Sequence, residues 1–286
     1  MYFPTCESLS NILYSESGCI DWLLENRIID LVTTCKKCGG EVRLNGHYFY
    51  CRSRTCRKIF SIFTGSFFEL SKIPCNKIMQ IGYYWLGGSR HKEIMRYTGA
   101  SDKTVTAYLK YFRQLVSSSI NDDDTKIGGE GVIVEVDESK FGKRKYNHGH
   151  HVEGVWVVGG VERTTSRKLF AVTVHDRSAQ TLRDILLRHV LPGTTVLTDM
   201  WKGYSDLNSI GLFHDTVNHS IGFISSTGVH TNSIEGTWNG IKMGVSARNR
   251  TRDCMPEFLL EFIWRRKNSL DLWGGLIYAL QIVLFE

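Results

Sequence analysis

Apolar positions recur with a helical period in the first third of the chain and with a strand-like rhythm after it. In residues 1 to 34, Ile20, Leu23, Leu24 and Ile28 form one stripe and predict helix. Residues 72 to 116 repeat that period. Ile94 and Met95 mark one helix, Thr98-Gly99-Ala100 makes a turn, and Ser101 caps a second helix through Val105, Tyr108, Leu109 and Phe112. Residues 117 to 131, "SSSINDDDTKIGGEG", are polar and aperiodic and predict a linker, with Asp122, Asp123 and Asp124 as solvated acids. From residue 132 to the end, 286, the pattern is α/β. Three strands, "VIVEVDESKFG", "VEGVWVVGGVE" and "RKLFAVTV", precede the amphipathic helix "SAQTLRDILLRHV". A fourth strand in "TTVLTDMWKGYSDL" stops at Asp199, and a short fifth lies near Leu212 to Val217. That order predicts a mixed sheet with helices on its faces.

The helix after the fifth strand, within "VHTNSIEGTWNGIKMG", carries two patterns at once. Ile234, Trp238, Ile241 and Val245 form a buried stripe. Glu235, Asn239 and Lys242 repeat the spacing one residue later, so an acid, an amide and an ammonium share a neighbouring face, about 100° round the helix.

Residues 35 to 64 follow neither rhythm. Cys35 and Cys38, then Cys51 and Cys56, form two pairs at turn-like spacing, separated by twelve residues. Two such pairs suit a tetrahedral structural Zn²⁺ site. Gly39-Gly40 permits a sharp knuckle, and "VRLNGHYFY" predicts a hairpin turning at Asn45-Gly46. The segment is a zinc ribbon with four cysteine ligands, and His47 is the only substitute ligand at hand. Cys6, Cys19, Cys75 and Cys254 lack paired spacing and are ordinary thiols.

Charge sharpens this picture. The net charge is +6. Between Cys35 and Lys58, seven basic side chains face the single acid Glu41, an excess as large as that of the whole chain. A concentrated basic segment favours a polyanionic partner. The start, "MYFPTCESLS", does not read as a secretory signal. The apolar run from 272 to 285 is too short for a bilayer and reads as a buried element. An intracellular protein without a membrane span is expected, with its cysteines serving metal rather than disulfides.

The acids then select the chemistry. Asp137 is expected at the end of the first strand, Asp199 just past the fourth, and Glu235 on the helix after the fifth. If the first and fourth strands are neighbours, the aspartates meet and the helix brings the glutamate over them. Converging carboxylates repel one another and are poor structural features, but they suit hard divalent cations. Two such ions about 3.5–4 Å apart activate an attacking oxygen and stabilise the leaving oxygen of a phosphodiester. Lys242 would bind a nearby phosphate, and Asn239 would orient a ligand or touch a base. Glu138 competes with Asp137 for the first position, and Asn232 and Asn239 flank the third.

The blocks "CKKCGG…CRSRTC", "VEVDESKFGKRKYNHGHHVEGVWVVGGVER", "TDMWKGY" and "HTNSIEGTWNGIKMG", with 35 residues between Asp199 and Glu235, resemble the Merlin group of DDE transposases and their ISXO-type bacterial insertion-sequence relatives. The resemblance covers nearly the whole chain. It implies a ribonuclease-H-like catalytic domain (132–286) behind an N-terminal helical segment (1–34), a zinc ribbon (35–64), a helix-turn-helix (72–116) and the linker (117–131). It implies cut-and-paste transposition with Mg²⁺ or Mn²⁺, catalytic Asp137, Asp199 and Glu235, and a basic Lys242. Double-stranded DNA, both transposon ends and target, is the implied partner. At least a dimer would act, in the nucleus of a eukaryotic host. The rival readings are a nuclease of the same fold that cuts without joining, and a domesticated DNA-binding protein without catalysis.

Other positions carry two readings each. Lys103, Thr104, Thr106 and Lys110 on the second helix suit a DNA groove, or are solvated positions on a helical hairpin. Lys143, Arg144 and Lys145, in the loop "GKRKYNHGHH", are candidates for gripping a DNA backbone; His148, His150 and His151 there are spaced too irregularly for zinc. Arg248, Arg250 and Arg252 make a basic track or a solvated turn. Trp201 packs under the site or stacks on an extruded base.

Overall fold

The computed structural model describes residues 2–142, 154–199, 201–204, 207–216 and 232–285. Lys143, Arg144, Lys145 and the three histidines after them lie outside the described residues. The chain divides into two compact units, Met1–Ser119 with Asn268–Glu286, and Ile120–Lys267.

The first unit opens with helices α1 (Ser10–Tyr14) and α2 (Glu16–Glu25); Ser15 caps α2 by accepting from the Gly18 N–H. Strands β1 (Val42–Asn45), β2 (Tyr48–Cys51) and β3 (Ile59–Ser61) make a small antiparallel sheet in that order. Asn45 pairs with Tyr48, so the two-residue turn is Gly46-His47, one position later than the sequence pattern suggested. Gly46 sits at φ 57°, where a side chain would be strained. Helix α3 (Cys75–Leu86) is buried on most of its surface. Helix α4 (His91–Thr98) ends at Gly99, whose left-handed φ of 67° returns its N–H to the Met95 carbonyl. Ser101 Oγ then accepts from the Thr104 N–H and starts α5 (Asp102–Ser118). Ile94, Val105 and Phe112 are fully buried between these helices.

The last helix of the chain, Leu272–Ile282, belongs to this unit and not to the sheet unit, where the α/β pattern had put it. It is apolar almost all round, so it needs cover on most sides. Its Trp273 ring lies 6.1 Å from Trp22 and 6.0 Å from Tyr83, centroid to centroid. None of the helices among the described residues is long and apolar enough to cross a membrane.

The second unit begins where a linker was expected. Asn121 caps a 3₁₀ turn, Asp122–Thr125, whose acids are tied down: Asp122 to Arg188 (3.2 Å), Asp123 to Lys126 (2.8 Å) and Asp124 to Lys267 (2.6 Å). Strand β4 (Ile127–Gly128) follows, then β5 (Ile133–Phe141), β6 (Val155–Glu162) and β7 (Leu169–Val174). After helix α6 (Ala179–His189) come β8 (Val190–Leu191), which pairs with β4, then β9 (Thr195–Thr198) and β10 (Phe213–Thr216). Helices α7 (Asn232–Gly244) and α8 (Met255–Lys267) complete the unit.

The main sheet runs β10-β9-β5-β6-β7. β10, β9 and β5 are parallel; β5, β6 and β7 are antiparallel. It is the mixed sheet that three hairpin-linked strands followed by α/β alternation predict, and its first and fourth strands are neighbours. Both faces are covered. On one side Val134, Val136, Val158, Phe170 and Val196 pack against Leu182 and Leu186 of α6. On the other, Phe141, Val157 and Val161 pack against Ile234, Trp238 and Ile241 of α7 and Leu259 and Ile263 of α8.

Candidate active site and cysteine cluster

Strand alternation decides what each acid of "VEVDES" faces. Asp137 lies in the middle of β5, not at its end, because β6 continues the ladder as far as Phe141. β9 stops sooner. It pairs with Ile133–Glu135 only, and two further steps along that parallel register bring Asp199 opposite Asp137. The aspartates therefore meet where the parallel ladder opens, at the carboxyl ends of its strands, the usual place for a site in an open α/β sheet. Asp137 faces α7, where its Oδ2 accepts from Trp238 Nε1 at 2.9 Å. Burial raises its pKa, the hydrogen bonds from the Trp238 indole and the Glu138 N–H oppose that, and the charges of Asp199 and Glu235 add to the rise.

Helix α7 carries the expected two faces. Ile234, Trp238, Ile241 and Val245 are buried, Glu235 and Asn239 are exposed, and Lys242 is half-buried with Nζ 5.5 Å from the centre of the Phe141 ring. Arg250 is occupied in capping the helix, donating to the carbonyls of Lys242 (2.6 Å) and Val245 (3.0 Å).

Glu138, the competing acid, points to the opposite face. Tyr204 donates a hydrogen bond to its Oε1, and Arg177 Nη1 lies 3.7 Å from Oε2. Burial holds its pKa up; the Tyr204 bond works against that, the Asp137 and Asp199 charges reinforce it, and Arg177 lowers it again.

Two residues that the sequence pattern did not single out build this corner. Glu135, fully buried, accepts from the N–H groups of Ser233 (2.8 Å) and Ile234 (3.0 Å) at the start of α7 and pairs with Arg163 Nε at 2.6 Å. A carboxylate at a helix N-terminus satisfies otherwise orphaned donors and complements the helix dipole. One side chain on β5, two residues before Asp137, thus anchors the helix that carries Glu235. The second is Gly159, the cross-strand partner of Asp137. A Cβ there would meet Trp238 Cη2 at 2.6 Å, so the bare glycine lets the indole lie across the sheet and reach Asp137. A glycine inside a strand was the available signal.

In the first unit, the four cysteines converge as their spacing suggests. Cys35 Sγ is 3.9 Å from Cys56 Sγ, Cys38 Sγ is 3.5 Å from Cys51 Sγ, and all four sulfurs lie within 4.8 Å of one another. A tetrahedron with metal–sulfur bonds of about 2.3 Å has edges of about 3.8 Å, whereas a disulfide needs about 2.05 Å. The donor set therefore fits a thiolate-bound metal. The backbone N–H groups of Lys37 and Cys38 hold the Cys35 thiol down to about 7. His47 stands aside and packs on Phe63, 6.2 Å between centroids. Among the described residues this is the only such group of three or more; the acids of the sheet unit form a looser arrangement. Asp137 and Asp199 fit oxygen-seeking cations by their chemistry, as carboxylates held in place by hydrogen bonds, Asp137 by Trp238 Nε1 and the Glu138 N–H and Asp199 by the Trp201 N–H.

On α5, Lys103 and Lys110 are exposed, while the Thr104 hydroxyl is engaged with Ser101 Oγ at 2.9 Å.

An α/β domain that draws acids from two parallel strands and a helix to one sheet end has the build of the DDE transposase class. Residues 116–267 match the ISXO2-like transposase domain, more than half of the chain, and the chain belongs to that family. Among solved structures it is similar to a pre-cleavage Mos1 transpososome (9% identity, 73% of this chain and 80% of that one, TM-score 0.21). It is similar to the Mos1 strand transfer complex to the same degree (11% identity, 73% and 79%, TM-score 0.21). A likeness that slight carries no argument here. No curated protein is significantly similar to the chain.

Proposed function

We propose that the protein is a cut-and-paste DNA transposase that hydrolyses the ends of its element and joins the freed 3′-hydroxyls to target DNA. The observation that carries this reading is the sheet geometry: the parallel β5–β9 ladder ends just before Asp137 and Asp199, and α7, which carries Glu235, is anchored to the same strand by Glu135. In this reading the sheet unit is a ribonuclease-H-like core, and the strand order, with hairpins first and parallel strands added beside β5, supports that.

Asp137, Asp199 and Glu235 would hold Mg²⁺ or Mn²⁺; the ions, when bound, lower the pKa of an attacking water or hydroxyl and stabilise the leaving oxygen. Trp238 would hold Asp137 in place, and Glu135 would hold the helix that carries Glu235. Lys242 would hold the phosphate beside the scissile bond, with Asn239 orienting the strand. Lys103, Thr104 and Lys110 of α5, together with Lys143, Arg144 and Lys145, would contact the DNA duplex. Cys35, Cys38, Cys51 and Cys56 would bind Zn²⁺ and present the surrounding basic side chains to it. Two ends must be brought together, so the active assembly is at least a dimer. It would work in the nucleus if the host is eukaryotic.

The test is cleavage and strand transfer on labelled ends of the protein's own element, comparing wild type with Glu235→Gln in Mg²⁺ and in EDTA. Joined products from wild type alone, and only with metal, are expected. Cleavage without joining would leave a nuclease, and end binding without metal-dependent cleavage would leave a domesticated binder.

A further inference from the structure

Trp201 is placed in a way that core packing does not explain. It follows Asp199 by two residues and remains 46% exposed. Yet it is held at two points. Its backbone N–H donates to Asp199 Oδ1 at 3.0 Å, so its position is tied to that carboxylate. Its pyrrole edge rests on Gly203, where a Cβ would come within 2.8 Å of both Cδ1 and Nε1. A half-exposed indole with a fixed edge is a prepared surface rather than a loose side chain.

Arg177, from the segment between β7 and α6, backs it. The guanidinium carbon lies 3.8 Å from the centre of the Trp156 ring and 5.1 Å from that of Trp201, and Arg177 Nη1 lies 3.7 Å from Glu138 Oε2. Glu138 lies within ion-pair distance of it, and what it offers Trp201 is a flat cation near the ring. Glu138 beside Arg177 and Asp199 beside the Trp201 backbone put carboxylates in this neighbourhood, which disfavours a bare phosphate at the ring itself. A neutral, flat, π-bearing group is what such a surface accepts.

We propose that Trp201, backed by Arg177, is a stacking platform for one unpaired nucleobase of the DNA strand held at the acids. The proposal rests on the transposase reading and adds to it a site for a base where the reading so far places only phosphates and metal. Its chemistry is sequence-tolerant, since every base has a π face, and it favours strands whose pairing is already interrupted, because less unstacking is needed. An end held this way keeps the scissile phosphate from sliding past Asp199, which shares a backbone anchor with the ring.

The experiment uses the full chain and two duplexes of about 30 base pairs, identical except that one carries a single unpaired 2-aminopurine. Wild type is expected to bind the interrupted duplex about tenfold more tightly than the paired one and to quench the 2-aminopurine. Trp201→Ala should bring the two affinities together and abolish the quench. Trp201→Phe, which keeps an aromatic face and guards against a folding artefact, should retain most of both. A preference and quench that survive in Trp201→Ala overturn the platform. Equal affinity of wild type for the two duplexes also overturns it, while metal-dependent cleavage in the assay above would still uphold the transposase. Failure of wild type to bind either duplex, or to cleave, overturns both.

Discussion

The cysteine cluster and the acid trio are both sets of metal-type ligands, and they are assembled in opposite ways. The four sulfurs come from one stretch of 22 residues and close within 4.8 Å of one another. That hairpin has only a small apolar core, Phe49 stacked on Phe60 at 5.2 Å, while strands β1 and β3 keep their side chains exposed or half-exposed. The three acids come from β5, the end of β9 and α7, spread over almost 100 residues, and form a looser group on a sheet with an apolar core on each face. In the first region the candidate ligands are neighbours on one small hairpin; in the second they are brought near one another only by the fold of a whole unit. A site of the first kind loses its fold with its ligands, and one of the second kind loses its chemistry and keeps its fold.

The largest expected effect breaks the first half of that contrast. A structural zinc is worth on the order of 10 kcal/mol to a small metal-dependent fold. Cys51→Ser should therefore lower zinc content from one ion per chain to substoichiometric, and amide exchange across residues 42–61 should approach that of an open chain. An unchanged hairpin would show that the metal is not what orders it. Next in size, Asp137→Asn should slow metal-dependent cleavage roughly a thousandfold, about 4 kcal/mol of transition-state stabilisation. Its urea midpoint should not fall, since burial already disfavours the charged carboxylate. Unfolding of that variant would end the comparison.

Glu135→Ala probes the scaffold behind the acids. It removes the carboxylate that pairs with Arg163 and accepts from two helix N–H groups, and removing one partner of a buried ion pair typically costs about 3–5 kcal/mol. Urea unfolding should show a loss of that size, and removing Arg163 as well should recover part of it. Gly159→Ala should cost less, about 1–3 kcal/mol for overpacking against Trp238. Its cleavage rate should fall by more than its stability suggests, because Trp238 leaves Asp137.

The smallest effect is a pH dependence confined to the sheet unit. His189 is buried, stacked on Phe170 (4.9 Å) and within hydrogen-bonding distance of Thr125, and burial pushes its pKa below the usual 6.5, offset in part by Thr125. The unfolded chain then binds the proton more readily than the folded one. Stability is complete above about pH 6.5 and is lost as the pH falls towards the depressed folded value. Urea midpoints at pH 7 and pH 5 should converge in His189→Asn relative to wild type.

Much of the sheet unit was legible along the chain. The valine-rich run at β6 and the stripe of α7 were plain from periodicity, and the neighbouring face with Glu235, Asn239 and Lys242 followed from helix geometry. The same reading chose Asp137 over Glu138 as the residue closing the apolar strand, a position it does not hold, and passed over Glu135. Glu135 and Asp137 share a face by alternation, yet one is used up in capping α7 and pairing with Arg163, while the other meets the Trp238 indole. Nor could it find Gly159, whose meaning depends on sitting opposite Asp137 on another strand. The acidic run at 122–124 read as a linker because its cationic partners, Arg188 and Lys267, are far away in sequence.

The sequence by itself determined the local features: helix stripes, the capping serines, the alternation of β5 and the cysteine knuckles. Each of these depends on residues within a few positions of one another, where backbone geometry alone sets what can meet. Only the tertiary structure decided that β9 pairs beside β5, that Asp199 thereby comes opposite Asp137, that a buried Glu135 steers α7, and that the last helix leaves the sheet unit. Those outcomes turn on which apolar faces find cover and which strand edges pair, and both are settled between segments that the chain order keeps apart.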